Sequence, residues 1–366
     1  MKTTNHSNLM KLTLEVIVCL LVFCQVTRAD FIFGEPEMVP NVNSGASDSG
    51  PQISRNGLEL YFASTRDTGV NRIWVSKRLT TQDVWSSATP IDAPVDPAFE
   101  QVFPSVSADG LELHYADGTS GTQNPTGYGD SDIWVLTRAS INDPWNAPEN
   151  LGAVINTSSE ESSPCISADG LELYYASNVP GYHNNSEIVM STRASKEEPW
   201  GEPVILNNNV NGMFYEYNPF ISTDGLSLFS SAGFSLQQVY VARRTTTAET
   251  WMWWEFFTPV NGFGTTHNVS YSDEDSTIYY TQGSNVFTLD FNIWQVKVTP
   301  VVDLNKDDAV DTFDVFELLG NWGPTDNSLY DIAPMPFGDG VVNGEDLIVL
   351  AEHMLIYEQS IDANGL

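Results

Sequence analysis

The sequence predicts an all-β propeller of five four-stranded antiparallel blades, and three observations carry this prediction. One motif recurs along the chain, and its first residues, Pro51, Pro104, Pro164 and Pro219, lie 53, 60 and 55 residues apart. A fixed period of this length is the signature of a repeat architecture. Apolar residues alternate within each copy, as they do in strands, and an Asp-Gly turn separates the first two strands. Four short strands per unit at this spacing describe a propeller blade.

The first 29 residues have the pattern of a secretory signal peptide. Two lysines precede an apolar run over 12–24, and small residues stand before a predicted cleavage site at Asp30. The run contains Glu15 and is shorter than the roughly 20 residues that a membrane span needs. We therefore expect a secreted protein, extracellular or at the cell surface, with no transmembrane span in the mature chain.

Composition excludes several partners. The chain has 48 acidic and 15 basic residues, which gives a net charge of −33. Nucleic acids and anionic membranes bind clustered Lys and Arg, so neither is expected as a partner. Of the three cysteines only Cys165 lies beyond the predicted signal peptide, so no internal disulfide can form. The exported domain must then be stabilised by packing or by metal.

The strand pattern also predicts how the propeller closes. Each copy ends in an outer element that begins at a tryptophan, for example Trp200-Gly-Glu-Pro203. A fifth, more divergent copy ends at Pro300 without this outer element. The segment Phe33-Gly-Glu-Pro36 matches the outer element but has no inner strands before it. We therefore predict that the N-terminus completes the fifth blade and that the propeller spans 30–300. The count becomes six if the aromatic segment Trp251 to Phe263 contains an eroded copy.

The motif Pro-x-Ile-Ser-x-Asp-Gly, as it stands at 164–170 and 219–225, resembles the repeat of WD40-like, TolB-type propellers, also called PD40. The resemblance covers residues 33–300 and implies the propeller fold. It does not imply an activity, because the family contains both binding scaffolds and enzymes.

Two recurring residue types are interpreted as scaffold. The aspartates of Ser-x-Asp-Gly stand where Asp accepts backbone hydrogen bonds in a turn and where Gly supplies positive φ. The tryptophans of the third strand carry large apolar area, which suits packing between blades better than a platform for sugars. The aspartates are Asp109, Asp169 and Asp224, and the tryptophans are Trp74, Trp134 and Trp294.

Acidic residues recur just before the innermost strand of the predicted blades. Innermost strands line the central channel of a propeller, so these side chains are candidates for a ring at one mouth that binds a cation, a glycan or a peptide. The alternative is solvated loop charge. The ring consists of Asp48, Glu100, Glu160, Glu161 and Glu216, with His267 in the fifth copy. Candidates for catalysis are Glu100, Glu161 and Glu216.

After Pro300 the pattern changes to that of paired calcium loops. Residues 303–314 place oxygen ligands at positions 1, 3, 5, 9 and 12 of an EF-hand loop, with a backbone carbonyl at 7, although position 6 is Asp308 instead of Gly. A second loop fits positions 5, 7, 9 and 12, and Asp331 can add a ligand if that loop is expanded. The predicted ligands are Asp303, Asn305, Asp307, Ala309, Asp311, Asp314, Asp331, Asp339, Val341, Asn343 and Asp346.

These paired loops, each ending in Asp and followed by a helix, resemble a dockerin domain over 301–355, which leaves a tail at 356–366. The resemblance implies a small all-α module, Ca²⁺ as cofactor and a cohesin-like protein partner. The residues that would touch this partner are Thr312, Phe313, Gly344 and Glu345. The first helix is predicted with one apolar stripe, formed by Phe313, Phe316, Leu319 and Trp322. The alternative is a calcium-stabilised capping module without a cohesin.

Two functions fit these features. The first is a non-catalytic propeller that binds a ligand at the channel mouth and is displayed or assembled through its calcium module, in extracellular polysaccharide handling. The alternative is a glycoside hydrolase, which needs two carboxyl groups about 5–5.5 Å apart for retention or about 6.5–9.5 Å apart for inversion. A periplasmic TolB-like adaptor fits less well, because a dockerin-like module acts outside the cell. The sequence has no phosphate-binding Gly loop, zinc helix or nucleophile elbow.

Overall fold

The structure is a computed structural model that describes residues 31–118, 124–178, 186–212, 215–233, 236–261, 264–283, 290–300, 304, 312–324, 332, 341–342, 344 and 346–351. One compact unit spans Ile32–Thr299, and the described residues from Pro300 onward belong to a second unit. The predicted signal peptide and C-terminal tail lie outside the described residues. None of the helices in the described part of the chain is long and apolar enough to cross a membrane.

The first unit is built from five antiparallel sheets, which are the blades of the predicted propeller. Blade 1 contains β3 (Asp48–Ile53), β4 (Glu59–Ser64), β5 (Arg72–Lys77) and β6 (Thr89–Pro90). Blade 2 contains β7 (Val102–Val106), β8 (Glu112–Ala116), β9 (Ile133–Thr137) and β10 (Glu149–Asn150). Blade 3 contains β11 (Glu161–Ile166), β12 (Glu172–Ser177), β13 (Glu187–Thr192) and β14 (Val204–Ile205). Blade 4 contains β15 (Glu216–Ile221), β16 (Ser227–Ala232), β17 (Gln238–Arg243) and β18 (Glu255–Phe256). The first strands of neighbouring blades contact one another around the channel.

The N-terminus closes the ring as predicted. Blade 5 contains β19 (Thr266–Ser272), β20 (Thr277–Gly283) and β21 (Phe291–Pro300), and its outer edge is made by β1 (Phe31–Phe33) and β2 (Glu37–Met38). Pairing of β2 with β21 is antiparallel, as it is for the outer strand of every other blade. The aromatic segment that could have hidden a sixth copy supplies the outer strand of blade 4 instead. The propeller therefore has five blades.

The recurring Ser-x-Asp-Gly segments are turns, which confirms the scaffold interpretation. In blade 3, Ser167 Oγ donates to Asp169 Oδ1 at 2.6 Å, and the same carboxylate accepts the backbone N–H of Leu171 at 2.9 Å. Gly170 takes φ +74°, a value that favours glycine. Trp74 and Trp134 are buried in apolar clusters, as predicted, whereas Trp294 is half-buried.

Each innermost strand carries a β-bulge. The pairing register shifts within all five strands, and one residue at each shift has φ between +53° and +66°. In four blades a proline follows the bulge residue. Because proline has no backbone N–H, the disrupted pairing at the bulge leaves no donor unpaired at that position. The bulge residues are Gly50, Phe103, Ser163, Asn218 and Asn268.

An arginine at the end of the third strand joins each of four blades to the blade before it. Arg193 of blade 3 stacks on Trp200 at 4.4 Å from the ring centroid. Its Nη2 also reaches both carboxylate oxygens of Glu112 in blade 2, at 3.1 and 2.8 Å. The same pairing joins Arg78 to Asp275, Arg138 to Glu59 and Arg244 to Glu172. The tryptophans that open the outer elements therefore serve as stacking partners inside the scaffold.

The seam between blades 4 and 5 is joined differently. By strand register, Val298 of blade 5 takes the place of the arginine, and Ser227 of blade 4 takes the place of its acidic partner. Phe33, which matches the outer tryptophans, packs edge-on against Phe257 with 6.1 Å between ring centroids. An aromatic contact thus replaces the ion pair where the N-terminus closes the ring.

The described part of the second unit contains a helix, a second helical segment and a short β-pair. Helix α1 covers Thr312–Gly320, residues 346–351 are also helical, and β22 (Gly323–Pro324) pairs with β23 (Val341–Val342). This β-pair is a departure from the predicted all-α module. The predicted apolar stripe of Phe313, Phe316, Leu319 and Trp322 is exposed, and the core lies on the other face of α1. Core residues are Leu304, Leu318, Ile332, Val342 and Leu350.

Candidate functional site

Three members of the predicted acidic ring are buried loop caps. Asp48, Glu161 and Glu216 occupy the first position of the innermost strand in their blades, and their side chains are almost fully buried. Glu161 accepts the backbone N–H of Thr157 at 2.6 Å and the hydroxyl of Ser177 at 2.9 Å. These carboxylates therefore bind inside the scaffold, and the structure does not place them on the surface of the channel mouth, where the sequence analysis predicted them.

Asp48 and Glu216 have the same local role. Asp48 accepts the backbone N–H of Ser44 at 2.5 Å and forms an ion pair with Arg66 at 2.7 Å. Glu216 accepts the backbone N–H of Gly212 at 3.1 Å. In every case the donor stands four residues before the acid. Their recurrence along the sequence therefore reflects the repeated loop and not a shared ligand.

The loops before four of the innermost strands also carry an asparagine that the sequence analysis did not single out, and it is buried in two of them. Asn156 accepts the backbone N–H of Ile133 at 2.8 Å and donates to the carbonyl of the same residue at 2.9 Å, so its amide imitates a strand partner. The visible signal is a Val or Ile before Asn, with Ser, Thr or Gly after it. Asn43, Asn211 and Asn261 bind Ile293, Ile188 and Val239 in the same way.

Glu100 lines a separate cavity of 240 Å³, formed by residues of blade 2 and of the loop before it. Asn71 Nδ2 lies 3.4 Å from one of its carboxylate oxygens. Asp117 and Trp134 line the same cavity, and burial raises the pKa of Asp117. The structure therefore does not bring Glu100 together with the other predicted ring members, which corrects its placement at the channel mouth.

Glu160 and His267 do meet, in a cavity of 390 Å³ at the mouth where the innermost strands begin, here called the central cavity. Tyr215 and Tyr217 form one wall with parallel rings, whose centroids are 6.3 Å apart. The remaining described lining is Phe103, Ser162, Asn218, Gly233 and Gln237. The sequence analysis did not single out the two tyrosines, because neither recurs in the other copies. Aligning the copies on their prolines places Tyr217 opposite Ser49, Val102 and Ser162, and this contrast was a usable signal.

The electrostatics of the central cavity depend on Glu160. Burial raises the pKa of Glu160, the nearby charge of Asp130 raises it further, and the hydrogen bond from Asn178 at 3.1 Å opposes both. Burial lowers the pKa of His267 to about 4, and burial together with Glu160 raises the pKa of Tyr217 to about 12. At neutral pH both rings are therefore uncharged.

The central cavity combines apolar ring faces with a few polar groups, which is the usual composition of a small-molecule site. Within the part of the lining that the structure describes, Glu160 is the only carboxylate. A carboxyl group with a raised pKa is suited to general acid catalysis. A second carboxylate, that of the exposed Asp130, acts on Glu160 through its charge.

Few of the predicted calcium ligands fall on described residues. Asp314 and Asp346, the last residues of the two loops, are fully buried, and their carboxylates accept the backbone N–H groups of Leu304 and Ile332, each at 2.6 Å. Val341 lies in β23. The described residues contain no group of three His, Cys, Asp or Glu arranged to hold a metal. The ligands outside the described residues are Asp303, Asn305, Asp307, Ala309, Asp311, Asp331, Asp339 and Asn343.

No protein-family model and no curated protein matches this chain. Solved structures do match. A thermostable family-43 glycoside hydrolase matches with a TM-score of 0.50 and 14% identity, covering 72% of this chain and 92% of that one. An α-L-arabinofuranosidase from Podospora anserina matches at 0.49 and 12% identity, with coverages of 75% and 98%. A putative TolB from Agrobacterium tumefaciens matches at 0.44 and 14% identity, with coverages of 74% and 88%. At such identities the first match shows a shared fold alone.

Proposed function

We propose that this protein handles polysaccharide and binds a sugar chain in the central cavity. The observation that carries the proposal is the wall of parallel tyrosine rings beside a half-buried glutamate, Glu160. The π-face of an aromatic ring is negative and attracts the C–H groups of a sugar face, while Glu160 and Gln237 can bind hydroxyl groups. Since His267 and Tyr217 are uncharged at neutral pH, a neutral glycan suits the cavity.

Glycoside hydrolysis in the same cavity is the second candidate. The fold shared with the family-43 glycoside hydrolase favours this enzyme alternative over a non-catalytic scaffold. Here Glu160, with its raised pKa, would protonate the leaving oxygen, and Asp130 would act as nucleophile or as base toward water. Such a pair must be separated by about 5–5.5 Å to retain, or about 6.5–9.5 Å to invert, the anomeric configuration. Glu160 thus replaces Glu161 and Glu216 as the candidate acid.

We expect Glu160→Gln to weaken glycan binding by about tenfold, and to lower any hydrolytic rate by about 10²-fold or more, because a general acid contributes about 10² to 10⁴. The variant is expected to fold, since burial disfavours the ionised carboxylate and Gln keeps the shape. Binding is measured by affinity electrophoresis in soluble neutral polysaccharides, and cleavage by the release of reducing ends. The matched control is Glu149→Gln, an exposed glutamate in the outer strand of blade 2.

The two candidates give different results. Binding that Tyr217→Ala and Glu160→Gln both weaken, with no reducing ends released by wild type, supports the binding function and excludes hydrolysis. Release of reducing ends that only Glu160→Gln and Asp130→Asn abolish supports the enzyme. Wild-type affinity in both cavity variants would overturn the cavity as the site.

We also propose that the C-terminal unit binds calcium in two loops. Support comes from the two equivalent contacts of Leu304 with Asp314 and of Ile332 with Asp346, because they align Asp331 with Asp303 as first residues of the loops. Carboxylates and backbone carbonyls are the oxygen ligands that Ca²⁺ prefers. Phe313 and Gly344, both exposed, belong to the surface proposed for a cohesin-like partner, whereas Glu345 and the side chain of Thr312 lie outside the described residues.

Removing calcium is expected to lower the melting temperature of this unit, because a ligand that binds only the folded state stabilises it. The check is differential scanning calorimetry of the full chain with EDTA and with excess Ca²⁺. Asp314→Asn should abolish the calcium effect of the first loop, and Glu317→Gln, an exposed change in the same helix, should leave it intact. An identical thermogram in EDTA would refute calcium binding by the two loops.

If the unit binds a cohesin-like partner, the full chain should be retained on an immobilised cohesin-type domain, and this retention should require calcium. Retention that does not depend on calcium, or no retention at all, would instead support a capping module.

A further inference from the structure

The outer segments of the five blades are equivalent, residue by residue. Each begins at an aromatic residue, and the two residues of the outer strand follow at the fourth and fifth positions after it. The aromatic residues are Trp85, Trp145, Trp200, Trp251 and Phe33. This equivalence makes four of the segments an internal reference for the fifth.

Blade 4 departs from that reference. Between the aromatic residue and the outer strand, the other blades have Ser-Ser-Ala, Asn-Ala-Pro, Gly-Glu-Pro and again Gly-Glu-Pro, which are small or polar residues at the surface. Blade 4 has Met252-Trp253-Trp254 there, and Phe256 follows in the strand. The other four blades form the same outer segment without large apolar side chains at these positions. The propeller scaffold therefore does not require them in blade 4.

The large side chains of blade 4 form a surface cluster, here called the edge patch, of three exposed residues, Met252, Trp253 and Phe256, and two half-buried ones, Tyr240 and Trp254. Trp253 is 73% exposed, Met252 49% and Phe256 45%. Tyr240 packs edge-on against both Trp254 and Phe256, with centroid distances of 5.5 and 5.6 Å, so the rings are held in place. Exposed apolar patches of this kind mark interaction sites in soluble proteins.

We propose that the edge patch is a second binding site for a neutral polysaccharide chain, separate from the central cavity. The choice of a neutral polysaccharide as the ligand rests on the proposed function. The location of the edge patch is independent of it, because the patch lies on outer strands whereas the central cavity lies at the innermost strands. Rigid Trp and Tyr side chains offer large contact area at low entropic cost, and their negative faces attract the C–H groups of sugar rings.

Charge argues for this occupant. The edge patch is uncharged apart from the adjacent Glu255, on a chain with a net charge of −33. A second copy of the chain would bring the same large negative charge, and like charges repel. A basic protein partner would bind to carboxylates, and the aromatic ring faces of the edge patch carry none. A neutral, hydroxyl-rich chain has no charge to desolvate and needs only the aromatic surface.

The test is retention of the full-length protein on insoluble neutral polysaccharides, cellulose and arabinoxylan, with depletion of the supernatant measured against polysaccharide concentration. We expect Trp253→Ala to weaken retention at least tenfold on one of them, and the triple change M252G/W253E/W254P, which restores the Gly-Glu-Pro of blade 3, to do the same. Leu79→Ala removes an even more exposed apolar side chain, 90% exposed, from blade 1 and should change nothing.

The cavity variant Tyr217→Ala distinguishes this site from the proposed function. Retention lost in Trp253→Ala and kept in Tyr217→Ala supports the edge patch, even if the cavity proposal fails. Wild-type retention in Trp253→Ala and in the triple variant, or no retention of wild type at all, overturns it. Concentration-dependent self-association in sedimentation velocity, abolished by Trp253→Ala while retention is unchanged, would overturn it in favour of a second copy.

Discussion

Replacing Arg193 with alanine is expected to destabilise the propeller by about 3 to 5 kcal/mol, the usual cost of removing one partner of a buried ion pair. The change leaves the carboxylate of Glu112 largely buried without its bidentate partner, and it removes the cation stacked on Trp200. It also removes the Nε donor of the Gly170 carbonyl at 2.8 Å. Guanidinium chloride unfolding followed by tryptophan fluorescence measures the loss.

The control for this prediction is Lys196→Ala in the same loop. Lys196 pairs with Asp109 across the same two blades, but both side chains are about one-third exposed, so the loss should stay below about 1 kcal/mol. A double-mutant cycle with Glu112→Gln should return a coupling energy above about 1 kcal/mol. If Arg193→Ala unfolds at the same denaturant concentration as Lys196→Ala, the arginine is not a joint between blades.

Asn156→Ala is expected to cost about 1 to 3 kcal/mol, because it leaves the buried N–H of Ile133 without its acceptor. The carbonyl of Ile133 keeps the backbone N–H of Leu151 as a donor. The isosteric change Asn156→Asp is the sharper variant. It can still accept the N–H of Ile133, but when ionised it places a negative charge against the carbonyl oxygen. Its destabilisation should therefore shrink as the pH falls and the aspartate becomes protonated.

Both variants are measured by the same denaturant titration, with Asn156→Asp repeated at pH 7 and pH 4. Asn146→Ala is the matched control, since this asparagine is exposed in the same blade and should lie within about 0.5 kcal/mol of wild type. A pH-independent loss in Asn156→Asp, or wild-type stability in Asn156→Ala, would show that the amide does not replace a strand partner.

The acidic residues show how far sequence reasoning reached at the candidate site. Glu160 and Glu161 are adjacent and were grouped together, yet one lines the central cavity and the other caps a loop inside the scaffold. Successive residues at a strand end point to opposite faces of the sheet. A prediction that is wrong by one position in register therefore mistakes a buried carboxylate for a ligand-binding one. The distinction needed the pairing partners, and those come from the neighbouring strand.

The period of the repeat, the alternation within it and the Asp-Gly turns are local properties, and they were enough to predict the blades, their order and the closure by the N-terminus. Which side chains meet at the channel mouth was decided only by the tertiary structure. Tyr215 and Tyr217 of blade 4, Glu160 before blade 3 and His267 of blade 5 come together because the ring brings together strand ends that are far apart in the chain. The same holds for Arg193 and Glu112, which are 81 residues apart. Local periodicity specifies an element, whereas a site depends on which elements become neighbours, and that is set by the packing of the whole ring.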